Sequence, residues 1–135
     1  MPVASGLVGS TTDKRGAVDL VYKESETKYS LIELKVNSNN PLFAAVEILL
    51  YGLLFVWSKN NLNVLGYDTR VQPVLAATEV DLFVLAPAQY YAGCNLGNLS
   101  HAINDGLDEF DELTELTLTF GFNELSSSQL GMINL

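Results

Sequence analysis

One cysteine, one histidine and no basic residue after Arg70 set the first bounds on this 135-residue chain. A lone Cys94 cannot close an internal disulfide, so the fold must stand on its core, and a reducing, cytoplasmic setting is expected. A lone His101 excludes a histidine-rich metal centre. It falls in a stretch that reads as helical, near Asn104 and Asp105, where a surface or capping role is expected, and no nucleophile-elbow sequence accompanies it. No glycine-rich phosphate loop or dinucleotide fingerprint is present. No basic segment precedes an apolar run at the start, so a signal peptide is not expected.

The charge is uneven. Residues 1–70 carry all seven bases and seven acids, whereas residues 71–135 carry nine acids and no base, which is the whole net charge of −9. An acidic second half is a poor grip for a phosphate backbone, so any DNA contact has to come from the first half or from a partner. The block Asp108-Glu109-Phe110-Asp111-Glu112 reads as a solvated helix end. Hydrophobic content of 48% and a positive mean hydropathy of +0.20 indicate a folded chain, and the length suits one domain with its own core.

The pattern along the chain suggests an α/β single domain. Residues 1–16 read as an arm or short strand, 17–125 as the domain and 126–135 as a tail. Residues 17–23 and 29–36 read as strands joined by a short polar connection, a hairpin centred near Ser25–Glu26. Asn40 as N-cap and Pro41 at the first helical position open a helix running to about Ser58. That helix is apolar on nearly every side, which predicts burial; it is short for a membrane span, and none is expected. Residues 60–70 read as loop and Val71–Ala77 as an edge strand carrying Pro73. Asp81–Ala86 reads as a strand, residues 97–112 as a helix and Leu116–Phe122 as a strand. Cys94 is expected to pack as a small side chain, and Tyr90-Tyr91 to form core or rim. The alternation implies a central mixed β-sheet flanked by helices.

Charges inside apolar strand runs carry the functional lead, because they are costly unless paired or metal-bound. Asp19 sits in Ala17-Val18-Asp19-Leu20-Val21-Tyr22, and Glu33 and Lys35 sit in Leu31-Ile32-Glu33-Leu34-Lys35-Val36. Strand residues two apart share a face, and the hairpin puts Asp19 almost opposite Glu33, so all three groups are expected on one face. The other face, with Val18, Leu20, Ile32 and Leu34, is expected to be the core. Glu47, the one charge in the apolar part of the helix, is placed to join them, with Tyr51 one turn on. Two adjacent carboxylates suit a hard divalent cation, Mg²⁺ or Mn²⁺. A self-neutralising Asp-Lys-Glu ion cluster satisfies the same pattern.

These residues resemble the PD-(D/E)xK nuclease-like superfamily: an Asp on one strand (AVD19LVY), Glu-x-Lys on the next (LIE33LK35V), and a following helix with Glu and Tyr (AAVE47ILLY51GLL). DLFVLAPAQYY is similar to a later core strand of that group. The resemblance spans roughly residues 17–90. It implies a restriction-endonuclease-like core and metal-dependent phosphodiester hydrolysis, with Asp19 and Glu33 as metal ligands, Lys35 as catalytic lysine, Glu47 as a further catalytic group and Tyr51 as a substrate contact. Residues 1–16 show no convincing helix where the group usually has one, so a homo-oligomer or protein partner is expected to supply cover. A catalytically inactive interaction module is the alternative implied by the same resemblance.

Overall fold

The computed structural model describes residues 18–35 and 40–126. The expected arm and nearly all of the expected tail lie outside the described residues. Four strands form one open sheet in sequence order: β1 (Leu20–Lys23), β2 (Lys28–Leu34), β3 (Glu79–Pro87) and β4 (Thr117–Leu125). β1 and β2 pair antiparallel with Leu20 opposite Ile32, while β2–β3 and β3–β4 are parallel. The hairpin and the mixed sheet read from the sequence are both present.

Two long helices make the parallel crossovers, α1 (Pro41–Asn60) between β2 and β3 and α4 (Leu96–Asp111) between β3 and β4. The α1 start follows from its sequence. The Asn40 side chain accepts a hydrogen bond from the Phe43 amide at 2.8 Å, and Pro41 occupies the first turn, where a missing N–H costs nothing. The helix runs two residues past the expected end. Residues 60–70 contain a single helical turn, α2 (Leu62–Leu65), closed by Gly66 in the left-handed region at φ 69°.

The predicted edge strand at Val71–Ala77 is a 3-10 turn, Pro73–Ala76. Pro73 supplies the fixed φ that starts the turn, and Val74 and Leu75 bury themselves under α1 instead of pairing. A one-turn helix, α3 (Ala88–Tyr91), follows β3 directly.

Strands β2, β3 and β4 lie side by side in order, so two right-handed crossovers bring both helices to the same face. This reverses the expected core. Tyr29 and Leu31, on the face shared with Glu33, meet α1, as do Val80, Leu82 and Val84 of β3. Of the residues expected to form the core, Val18 and Ile32 are buried, but Leu34 is only half-buried and Leu20 is 46% exposed. The charged cluster therefore lies on the covered face of the sheet, at the rim of the core.

Small residues let α1 come close. Its buried side includes Ala44, Ala45, Gly52 and Ser58 around Ile48 and Phe55. A Cβ on Gly52 would sit 2.5 Å from Leu82 Cδ1. Full burial of side chains such as Ile48, Phe55 and Leu82 contributes about 1.5–3 kcal/mol each. The predicted all-round burial of α1 holds for one side only, because its outer side keeps six large apolar residues half exposed.

Helix α4 also closes the edge of the sheet. Asn104 accepts from the Phe120 amide (2.8 Å) and donates to the Phe120 carbonyl (2.9 Å), and the Asp111 carboxylate accepts from the Leu118 amide (3.1 Å). These side chains occupy β4 backbone groups that would otherwise offer a pairing edge. Asp111 is thus a functional part of the fold within an acidic block whose other acids are exposed. Burial pushes its carboxyl up, against the lowering effect of the Leu118 bond.

Candidate active site

Position comes first. Glu33 lies one residue before the end of β2, in register with Val84 of the parallel neighbour β3. Lys35 follows the strand and stays tied to the sheet, its amide donating to the Leu85 carbonyl at 3.0 Å. The site therefore sits at the carboxyl ends of parallel strands, where open α/β sheets hold their ligands. Chain direction then returns through Asn40 into α1, which carries Glu47 in its second turn and Tyr51 one turn later.

Three of the predicted residues, Glu33, Lys35 and Glu47, come into direct contact. Lys35 Nζ lies 2.7 Å from Glu33 Oε1 and 2.8 Å from Glu47 Oε2, bridging strand and helix. These are protected contacts: the Lys35 and Glu33 side chains are 13% and 7% exposed, and Glu47 is 30% exposed. Asp19, one step beyond the last β1–β2 pair, is outside the strand and exposed, with its Oδ2 accepting from the Leu34 amide at 3.0 Å. Its charge is felt at Glu33 and at Tyr51.

Electrostatics show how tightly the groups are coupled. Burial is the main force raising the Glu33 carboxyl above its ordinary value, and the Lys35 hydrogen bond opposes it; the charges of Asp19 and Glu47 add to the rise. Burial alone would lower the Lys35 ammonium, but its bonds to Glu33 and Glu47 outweigh that and raise it, so Lys35 is a fixed positive charge at neutral pH. Burial also raises the Tyr51 phenol, aided by the charges of Glu33, Glu47 and Asp19. Tyr51 therefore lies within electrostatic reach of the cluster.

Two features remain unbalanced. When ionised, Glu33 and Glu47 flank one ammonium and the exposed Asp19 adds a third carboxylate whose charge reaches Glu33, an excess of two negative charges. Glu33 Oε2 is buried and has no hydrogen-bond partner. Glu47 Oε2 is held by Lys35 Nζ at 2.8 Å, which leaves Glu33 Oε2 as the unpartnered oxygen. A buried carboxylate oxygen left in this state is costly and calls for an explanation such as an ion or ordered water. A hard divalent cation fits both features: it takes oxygen ligands, needs only one or two carboxylates, and cancels a charge of two. The fit is partial, because no group of three or more His, Cys, Asp or Glu among the described residues has metal-cage geometry.

The structure adds Tyr90. Burial is the main cause of its raised phenol, and the charges of Lys35, Glu47 and Glu33 all reach it. Its hydroxyl donates to the Asn40 carbonyl at 3.0 Å, pinning the helical turn after β3 to the start of α1. Tyr91 turns the other way, sharing its one hydroxyl proton between the Val84 and Asn123 carbonyls and packing edge-on against Phe122. The expectation of core or rim thus suits Tyr91, while Tyr90 belongs beside the site. Its signal in the sequence was its place three residues after a strand ending at the ligand-binding edge of the sheet.

Other candidates fall away. His101 is exposed and, among the described residues, reaches Asp105 at 3.5 Å. Cys94 is exposed, contrary to the expected packing, because it follows Gly93 (φ 75°) in the turn between α3 and α4. An apolar groove of about 310 Å³ lies between α1 and α4 and includes none of the charged residues. Comparison with protein-family models, with characterised proteins and with solved structures finds no match to this chain.

Proposed function

We propose that the chain is a metal-dependent phosphodiesterase acting on nucleic acid, built on a restriction-endonuclease-like core. The observation that carries this reading is the buried, unpartnered Glu33 Oε2 in a cluster with two negative charges in excess, at the carboxyl edge of the parallel strands. Asp19 and Glu33 would hold Mg²⁺ or Mn²⁺, which would polarise a phosphoryl oxygen and activate water. Lys35, protonated at neutral pH, offers its ammonium to a phosphoryl oxygen as negative charge develops there. Glu47 positions Lys35 from the helix side. Tyr51 and Tyr90 flank the cluster and give a sugar–phosphate chain two phenols to rest on.

A catalytically silent module of the same fold is the second reading. What favours it is the double pairing of Lys35, which already neutralises the ammonium without a metal. Thermal melts separate the two, since a ligand that binds only the folded state stabilises it by about 1.4 kcal/mol at ten times its Kd. The enzyme reading expects Mg²⁺ or Mn²⁺ to raise Tm, the rise to vanish in Glu33→Gln, and single- or double-stranded DNA or RNA to be cut in the same buffers. No metal-dependent shift and no cleavage would leave the silent module.

A further inference from the structure

The outer side of α1 has no part in the chemistry at Glu33. Leu42, Phe43, Val46, Leu50, Leu53 and Trp57 are each 45–55% exposed. They recur at helical spacing and form one apolar stripe along a helix about 30 Å long. Contiguous apolar surface on this scale marks an interaction site. Beside the stripe runs the groove between α1 and α4, lined by Leu49, Leu53, Gly106, Leu107 and Phe110 over Leu82.

We propose that a second copy of this chain covers this face, α1 pairing with its equivalent about a two-fold axis and the adjoining groove receiving a large apolar side chain from the other copy. Three observations select that occupant. The first is area. Half the surface of six large apolar side chains is on the order of 500 Å², taking roughly 150–200 Å² for each whole side chain. A symmetric pair then buries about 1,000 Å² from the stripe alone, the threshold for a specific interface, before the groove is counted. The second is charge. The chain carries −9, so self-association needs a contact free of acids; the stripe has none, and Glu47 is turned inward onto Lys35. The third is self-complementarity. An isologous contact places each patch against itself, which suits an apolar stripe with no charge pattern for a different partner to read.

A lipid surface is the competing occupant. By length and composition α1 could cross a membrane, but half of its apolar window is buried inside the molecule, and the last turn carries only Lys59 where a surface-lying helix has a basic rim.

The test is sedimentation velocity on the full chain from 1 to 100 µM, beside Leu50→Glu/Leu53→Glu, with circular dichroism to verify that both are folded. The expected result is twice the 14.7 kDa chain mass for the wild type and at least a 30-fold weaker association for the variant. For a readout that leaves the face apolar, Leu53→Cys and Val71→Cys are each made in Cys94→Ser and oxidised. Leu53→Cys is expected to cross-link between copies, while Val71→Cys, at the well-exposed Val71, does not. A wild type at chain mass throughout, undiminished association in the double variant, equal cross-linking at both positions, or a monomer that floats with phosphatidylcholine vesicles would overturn the proposal. None of these readouts depends on metal or cleavage.

Discussion

Replacing Lys35 with Met removes the one ammonium that joins β2 to α1 while keeping most of the side chain's volume. Glu33 is then left 7% exposed with no cationic partner, and Glu47 is left 30% exposed. Breaking a buried pair by deleting one partner costs about 3–5 kcal/mol. Glu47 can turn toward water and Glu33 can take up a proton, which brings the expected loss to about 2–3 kcal/mol at pH 7.5. For a chain of this size that is a fall in Tm of roughly 10 °C. The pH dependence gives the sharper test. The Glu33 carboxyl already lies above its ordinary 4.5, and loss of Lys35 raises it further. The folded variant then holds a proton that the unfolded chain has lost. Its stability rises relative to wild type as pH falls from that raised value toward 4.5. Urea melts at pH 7.5 and 5.0 should show a gap between wild type and variant that narrows by half or more at the lower pH. Adding Glu33→Gln to Lys35→Met should recover much of the loss at pH 7.5, because no buried charge remains on β2. A gap that is the same at both pH values, or below about 1 kcal/mol throughout, would refute the claim that Lys35 compensates a buried carboxylate.

Asn104→Ala should cost about 1–3 kcal/mol in a urea melt, because it strips both partners from the Phe120 backbone at the sheet edge, and it should raise the aggregation rate on heating. Asn40→Ala should lower stability by about 1 kcal/mol through loss of the α1 cap, with the Tyr90 contact to the Asn40 carbonyl intact. For Lys35 in the wild type the sign is that of a raised base: its contribution is fully present below 10.5 and is lost as pH rises through the higher folded value, so wild type and Lys35→Met should converge in strongly alkaline melts.

The elements that carry the site were legible because local chemistry agrees with the fold. Asn40 and Pro41 cap α1 as their residue types predict, and the polar break after Lys23 makes the hairpin that fixes Leu20 opposite Ile32. That register puts Asp19 one step beyond the last pair, where it binds the Leu34 amide and its charge reaches Glu33, and Glu47 reaches Lys35 as its isolation in an apolar helix suggested. The face of the sheet was not legible. Alternation in β2 separates Leu31 from Ile32 but does not say which meets the helices; that depends on two crossovers falling on the same side, a property of strand order. Val71–Ala77 misread as a strand for a related reason: a short apolar run with Pro73 fits an edge strand or a turn, and packing under α1 decides. The outer stripe of α1 was hidden by its own hydrophobicity, since a helix apolar all round gives no periodic signal of which side is left open.

The central claim is that Asp19, Glu33 and Lys35 form a metal-dependent phosphodiester hydrolysis site. The most direct measurement is the cleavage rate of end-labelled DNA and RNA by the purified full chain, with Mg²⁺ or Mn²⁺ and with chelator, beside Lys35→Met and Asp19→Asn at a temperature where each variant is folded. The account predicts cleavage with metal, none with chelator, and a loss of at least 100-fold in both variants. Cleavage that persists in chelator or survives in both variants, or none by the wild type under either metal, would contradict it.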